Sequence, residues 1–475
     1  MWKTYIAVSS LQEALDTLQV ENSKKKIIAG GTDLILELKH GQYPEVDTLI
    51  DINRIEGIHE IWQDDEGYIH INPGVTHNHC LDSDLIKQNA YALYQACLSI
   101  GAPQIRNVGT VYGNIITASP ANDTIPALIA LDAEITLQSG SGSRTIKLDQ
   151  FYTGVRKTVL QKNEIAVDLK FPKAKTESRS TFQKYMLRNA HGISVANCAI
   201  SCLLIDEKIS DAHIALGSVG ERVFRATNAE KELNGKNIKS VDKNKVAELV
   251  ISHAKPIDDI RASLDYRKRL IKVLIKRGLD SLIHQSSKQK AEKPVLLWGA
   301  KRYHPSTLKS TEIHTSQAPI QTVINNKKYE FKSGQTDMLI HLVREQAKLT
   351  GTKLGCGEGE CGACTLFLDD VPVLSCLIPA PRAHQAEIKT IEGVSSEDTL
   401  HPVQKAFIDQ GAVQCGYCTP GFVMSTIKLL EEIPAPNSEQ IKSALAGNIC
   451  RCTGYYKIIQ AVEQAGLEIS GEQRS

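Results

Sequence analysis

The stretch Gly355-Cys356-Gly357-Glu358-Gly359-Glu360-Cys361-Gly362-Ala363-Cys364 carries three cysteines spaced Cys-x4-Cys-x2-Cys, and Cys376 follows after eleven residues. This is the plant-type ligand pattern of a [2Fe-2S] cluster. Its glycines let the backbone take positive φ and bring amide N–H groups up to cluster sulfurs with no Cβ in the way. A second group, Cys415-x2-Cys418 and, 31 residues later, Cys450-x-Cys452, has different internal spacing. Four cysteines also hold structural zinc, and Cys415-x2-Cys418 fits half of such a site. The glycine-rich x4 loop and the Cys-x-Cys pair argue for two clusters instead.

At 475 residues the chain is long enough for two or three domains. Hydrophobic content of 42% is that of a globular protein, and no apolar run reaches membrane-spanning length. Met1-Trp2-Lys3-Thr4-Tyr5 has no signal-peptide core, so a cytoplasmic location is expected. There, clustered cysteines bind metal or do redox chemistry rather than form structural disulfides. Cys80, Cys97, Cys198 and Cys202 lie outside the two groups and read as small buried hydrophobes. A net charge of +1 gives no reason to expect nucleic acid.

Outward from the cysteines, the hairpin Gln321–Phe331 with its turn at Asn325-Asn326, a helix over Met338–Leu349, the cysteine loop and a hairpin turning at Asp369-Asp370 give the order of a β-grasp ferredoxin. Beyond about 395, four helical patterns follow, Val403–Gln410, Gly421–Glu432, Ser438–Ala446 and Lys457–Ala465. Residues 284–319 read as an irregular linker that Val295–Trp298 could anchor.

At the other end, Ser10 caps an amphipathic helix with Leu11, Leu15 and Leu18 on one face. The buried-strand run Lys26–Ala29 then enters Gly30-Gly31-Thr32-Asp33 and continues as helical Leu34–Leu38. Such a turn suits a phosphate or pyrophosphate, or is simply a tight connection. The segment Thr110–Asp123 is dense in small, hydroxyl and amide side chains, and reads as a ligand-binding loop or as a polar loop with local turns. From about 170 to 283 the pattern is a short sheet followed by helices, the last bearing Arg267, Lys268, Arg269, Lys272, Lys276 and Arg277 on a solvated face.

Gly357–Thr365, Gln414–Gly421 and Gly447–Tyr455 closely resemble the iron–sulfur part of the molybdenum hydroxylases, the family of xanthine dehydrogenase, aldehyde oxidase and carbon monoxide dehydrogenase. Ala29–Asp33 and Gly113–Pro120 resemble the same family's FAD subunit. The resemblance implies an α+β multidomain chain: an FAD-binding domain of the molybdopterin dehydrogenase type (1–170), its α+β C-terminal subdomain (171–283), the linker (284–319), a β-grasp [2Fe-2S] domain (320–395) and a four-helix [2Fe-2S] domain (396–475).

It further implies that Cys356, Cys361, Cys364 and Cys376 hold one cluster and Cys415, Cys418, Cys450 and Cys452 the other. Lys26, Ile27, Ile28, Ala29, Gly30, Gly31, Thr32, Asp33 and Leu34 would cradle the FAD pyrophosphate. Thr110, Gly113, Asn114, Thr117 and Asp123 would hold the ribityl and adenosine parts, with Lys184 near the isoalloxazine. Gln414 and Cys452 would face the pterin of a molybdenum cofactor in a partner chain. The family usually has Gly-Gly before Asn114; Tyr112-Gly113 stands here, which sets a phenol to stack on the flavin or obstruct it. The domain order is also reversed relative to single-chain xanthine dehydrogenases.

The chain therefore reads as one two-electron and two one-electron carriers with no substrate-transforming residue of its own. The function implied is the electron-transfer subunit of a xanthine, nicotinate or aldehyde dehydrogenase. Its partner would be a molybdopterin-binding large chain, the assembly a dimer of heterodimers, and the final acceptor NAD or another oxidant. A stand-alone flavin/ferredoxin reductase is the reading from another class.

Overall fold

Two tight turns set the register of the ferredoxin part. Asn325 and Asn326 have φ of 49° and 64°, and Asp369 and Asp370 have φ of 49° and 67°. Paired positive φ is the type I′ geometry that matches the twist of a two-residue hairpin, and Asn and Asp tolerate it best among side-chain-bearing residues. The computed structural model describes residues 2–20, 24–284, 293–300, 306–396 and 399–471. They fall into two compact units, one of residues 1–56, 101–109 and 294–475, the other of residues 57–100 and 110–293.

In the first unit the hairpins contribute to a five-stranded β-grasp sheet in the order Lys327–Phe331, Ile320–Ile324, Glu387–Lys389, Thr365–Leu368, Val371–Leu374. The helix expected over Met338–Leu349 is cut short. Leu339–His341 is α-helical, and Leu342–Gln346 widens into a π turn in which the Ala347 N–H reaches the Leu342 carbonyl. Lys348 then takes φ of 60°, and the Arg344 guanidinium holds the departing chain through the carbonyls of Thr350 and Thr352. Helices Pro402–Asp409, Thr419–Glu432, Ser438–Leu445 and Tyr456–Ser470 follow where expected and enclose Phe407, Phe422, Leu429, Ile441 and Val462.

The same unit holds a second sheet, ordered Glu312–His314, Thr4–Ala7, Thr48–Asp51, Lys25–Ile28, whose last three strands run parallel. Its helix Leu11–Gln19 starts as predicted: the Ser10 hydroxyl accepts from the Glu13 N–H, and the Glu13 carboxylate accepts from the Ser9 N–H. Trp2, Tyr5, Ile28, Ile35 and Leu49 share one apolar core with Met338, Cys364, Cys376 and Leu377.

The stretch expected to be an irregular linker is partly regular. Glu312–His314 is an edge strand antiparallel to Thr4–Ala7, and Val295–Trp298 is buried as the anchor. The Glu432 carboxylate accepts from the N–H groups of Leu296 and Trp298, and the Trp298 indole donates to Asn107. Residues 285–292 and 301–305 of that stretch lie outside the described residues.

The second unit combines a five-stranded sheet, Ile61–Gln63, Tyr68–Ile71, Ile165–Pro172, Glu134–Ser139, Gly142–Lys147, with a four-stranded antiparallel one, Ser178–Tyr185, Ala196–Ile205, Lys208–Gly217, Phe224–Arg225. Helices Thr227–Leu233, Lys243–His253 and Leu264–His284 pack on the latter. One residue of the face expected to be solvated is not: Arg267 is 1% exposed. It sits on the same side of the helix as Leu270, Ile271 and Leu274, donates to Asp259 at 2.7 Å and reaches the Ser218 carbonyl at 3.0 Å. A buried guanidinium is tolerable only with such partners.

Candidate cluster and flavin sites

All twelve cysteines are free, and the eight motif cysteines gather in two groups of four. In the first, Cys364 and Cys376 are buried and Cys356 is exposed. Gly357, Gly359 and Gly362 all take φ near 70°. A Cβ on Gly362 would fall 2.4 Å from the Gly447 carbonyl oxygen, a backbone atom, so no larger residue fits that turn, and one on Gly359 would fall 2.4 Å from Leu377 Cδ1. The turns aim amides at sulfur: the N–H groups of Glu358 and Glu360 each donate to Cys356 Sγ at 3.3 Å, and the Cys356 N–H donates to Cys361 Sγ at 3.3 Å.

A hydrogen bond from the Cys361 thiol, together with those amides, pulls Cys356 down to about 4, while Cys361 is raised by the same pairing. Cys376 is likewise lowered by the Cys364 thiol, which is raised in turn. Thiolate is the form that binds metal, so this loop is prepared for a soft cation or a cluster.

In the second group, burial acts against ionisation of Cys450, but the Thr453 hydroxyl and N–H, at 3.2 Å and 3.4 Å from its sulfur, bring it below the ordinary thiol value. Burial and the pairing with Cys450 push Cys418 up to about 12. Cys452 pairs with Cys415, and both are exposed. Gln414 is exposed beside them, among the exposed apolar side chains of Val413, Tyr417 and Ile449.

The two cysteine loops touch. The Ile449 N–H donates to the Cys361 carbonyl at 3.0 Å, and the Tyr417 hydroxyl donates to the Leu354 carbonyl at 2.6 Å. A buried amide cluster, in which the Gln104 Nε2 donates to Ser425 and to Asn448 Oδ1, braces this approach. Gln104, Ser425 and Asn448 lie far apart in sequence, and of them only Asn448 falls within a cysteine motif.

The turn Gly30–Asp33 belongs to the first unit. It joins strand Lys25–Ile28 to helix Leu34–Lys39, with Gly31 at φ of 70° and the Asn53 amide donating to the Ala29 carbonyl. Gly30 has a packing reason to lack a side chain, since its Cβ would lie 2.0 Å from the Val108 carbonyl oxygen. Ile28 is buried in the core, the other residues from Lys26 to Leu34 are partly exposed, and Lys26 Nζ lies over the Tyr43 ring at 3.9 Å. From the same turn's helix, Lys39 donates to the carbonyls of Gly357 and Cys376. The C-terminal end of the helix that leaves the glycine turn thus borders the first cysteine loop.

Thr110–Asp123 and Lys184 belong to the second unit. Thr110 caps helix Val111–Thr117 by accepting from the Gly113 N–H at 2.9 Å. Gly113 and Ile116 are exposed on that helix, with Asn114 and Thr117 partly so. Asn114 Oδ1 accepts from the Thr124 hydroxyl at 2.5 Å. Tyr112 does not join that face. Successive helix residues are turned by about 100°, which puts Tyr112 inside with Val111 and Ile115; it is 3% exposed, and its hydroxyl donates to the Ile71 carbonyl at 2.9 Å. The phenol is therefore a core side chain and does not stack on or obstruct a flavin from that position. Asp123 and Lys184 form a direct pair at 2.6 Å, completed by Ser194 and Asn197, which donate to Asp123 Oδ1. Neither Ser194 nor Asn197 carried a local signal.

Four family models match. Residues 2–174 match the FAD binding domain in molybdopterin dehydrogenase, and residues 181–282 the CO dehydrogenase flavoprotein C-terminal domain. Residues 322–385 match the 2Fe-2S iron-sulfur cluster binding domain, and residues 390–463 the [2Fe-2S] binding domain. The chain is 47% identical over 127 residues to the nicotinate dehydrogenase small FeS subunit of Eubacterium barkeri, covering 27% of this chain and 81% of that one. It is 33% identical over 271 residues to the glyceraldehyde dehydrogenase medium chain of Sulfolobus acidocaldarius, covering 57% and 95%. A chain of carbon monoxide dehydrogenase from Hydrogenophaga pseudoflava superposes with a TM-score of 0.57 at 28% identity, over 60% of this chain and 98% of that one.

Proposed function

The chain belongs to the molybdenum hydroxylase family, as its FAD-binding and two-cluster [2Fe-2S] parts in one polypeptide, and we propose that it relays electrons from a molybdopterin-binding partner chain through the clusters to FAD and on to NAD or another acceptor. Bound FAD and the two clusters supply the two-electron and one-electron steps. The residues of the chain fit the clusters: eight free cysteines in two four-sulfur groups, with backbone amides directed at Cys356 and Cys450.

What the chain itself does is hold and tune. Amides donated to ligand sulfurs withdraw charge from them, which favours the reduced form of whatever they ligate. Exposed Gln414, Cys415 and Cys452, with exposed Val413, Tyr417 and Ile449 in the same two cysteine segments, would form the face where the partner's pterin meets the chain. The Ile449 to Cys361 hydrogen bond joins the two cysteine loops directly. The Lys26–Leu34 turn would hold the FAD pyrophosphate, and Thr110, Gly113, Asn114, Thr117, Asp123 and Lys184 would serve the rest of FAD. Asp123 and Lys184 act as a fixed buried pair.

The substrate belongs to the partner. Xanthine or hypoxanthine is the first choice by motif likeness, nicotinate and an aldehyde are the alternatives, and the setting is a cytoplasmic dimer of heterodimers. Among the described residues no helix is long and apolar enough to cross a membrane. The observation that carries the reading is the gathering of the eight cysteines into two separate groups in a chain that also carries the FAD-binding domain. The test is purification of the native complex, followed by NAD reduction with xanthine, nicotinate and an aldehyde in turn. A molybdopterin chain that co-purifies and reduces NAD with xanthine supports the full reading; a flavin- and iron-containing chain with no such partner overturns it.

A further inference from the structure

Strand Glu312–His314 brings an acidic and an imidazole side chain to one face, because residues two apart on a strand point the same way. His384 meets them from the end of the β-grasp fold, with its ring centroid 4.8 Å from that of His314. Glu312 Oε2 lies 3.8 Å from His314 Nε2 and 3.9 Å from His384 Nε2, and the three donor atoms all lie within 4.8 Å of one another. These distances are too long for hydrogen bonds.

The cluster is poorly satisfied without an occupant. His314 is 3% exposed, yet among the described residues neither ring nitrogen has a hydrogen-bond partner, and Glu312 Oε2 has none either. Buried polar atoms seldom go unpaired, and each that does calls for an ion, a water or a function. Burial keeps His314 neutral, with the nearby His384 and Arg54 adding to the effect, and neutral imidazole is the ligand form. The other atoms are held in place: the Gln385 amide donates to Glu312 Oε1 at 2.5 Å, and the Gln321 N–H meets His384 Nδ1 at 3.1 Å. A cation at His384 Nε2 requires the ring proton on Nδ1, so binding gives up the Gln321 N–H bond to Nδ1 and the 3.4 Å contact of the Gln385 amide with Nε2, and the Pro319 carbonyl remains as an acceptor for the ring.

We propose that Glu312, His314 and His384 form a binding site for a late first-row divalent cation, with zinc as the reference ion, that clips the segment entering the ferredoxin fold onto that fold. Two imidazoles and a carboxylate suit this class of ion. Tetrahedral zinc with bonds of about 2.0–2.1 Å sets its donors roughly 3.4 Å apart, so closure draws Glu312 about half an ångström nearer each imidazole and the widest pair, within 4.8 Å, together by up to about 1.4 Å. Arg54, whose Nη1 donates to the His384 carbonyl, is the opposing charge, and the Glu312 carboxylate offsets it.

The test uses the full chain with clusters and flavin in place, washed with a mild chelator and titrated with zinc against a chromophoric competitor, while elemental analysis tracks zinc and iron. Wild type is expected to take up one zinc per chain with iron and visible spectrum unchanged, and its thermal midpoint to rise. Glu312→Gln, nearly isosteric, and His384→Gln should weaken zinc binding on the order of 100-fold, and Gln385→Ala by about tenfold, with iron and flavin intact. Uptake of no zinc by wild type, or equal uptake by Glu312→Gln with its iron intact, overturns the proposal. Because the readout is zinc on the isolated chain, it is independent of which substrate the partner oxidises.

Discussion

Lys184 Nζ lies 2.6 Å from Asp123 Oδ2, and both side chains are buried. Residues 61 apart in sequence, expected to serve two parts of one cofactor, are thus each other's counter-ion. Removing one member of a buried pair strands the other charge, so Lys184→Met or Asp123→Leu should destabilise the chain by about 3–5 kcal/mol. The double variant should lie closer to wild type than either single one. Chemical denaturation of the flavin-free chain checks this, and equal additive losses would count against it.

Asp259, partly exposed, is the carboxylate that pairs with buried Arg267, and it carries a pH dependence. Burial works against its ionisation, but hydrogen bonds from Arg261 and Arg267 outweigh it and hold the carboxyl well below the usual carboxylate range. A depressed folded-state value contributes stability that is present above the unfolded value, about 3.9, and is lost as pH falls through the folded one. Asp259→Asn should therefore cost about 3 kcal/mol at pH 7, from the stranded Arg267, and the gap between variant and wild type should close as pH falls below about 4. Unfolding measured across pH 2–8 checks both.

Gly31 separates strain from charge. At its φ of 70°, Asn is the mildest replacement and Asp is its charged near-isostere. Gly31→Asp should expel FAD by placing a carboxylate against the pyrophosphate, whereas Gly31→Asn should keep most of it. Flavin absorbance per chain is the readout; full retention by the Asp variant refutes the pyrophosphate placement.

Cys364 is buried in its four-sulfur group, which is distinct from the group at Cys415 and Cys450. Cys364→Ser should abolish one electron paramagnetic resonance signal and leave the other, with iron falling from about four to about two per chain. Loss of both signals, or of neither, would break the two-site assignment.

Much of this was legible in the chain itself. Cysteine spacing, the Asn325-Asn326 and Asp369-Asp370 turns, the cap at Ser10 and the four helical patterns after residue 400 are local, and local backbone geometry dictates them. The π turn over Leu342–Gln346 was not, because the contacts that draw the helix open come from Arg344 to carbonyls beyond it.

The sequence by itself determined which cofactors the chain can hold, since ligand type and spacing are properties of short segments. Only tertiary structure decided that residues 1–56 share a core with Cys364 and Cys376, that Glu312–His314 closes the edge of the N-terminal sheet, and that Tyr112 and Arg267 face inward. Each depends on which distant surface a residue meets. No periodicity encodes that, because a helix or strand face is buried or exposed only once its neighbour has arrived.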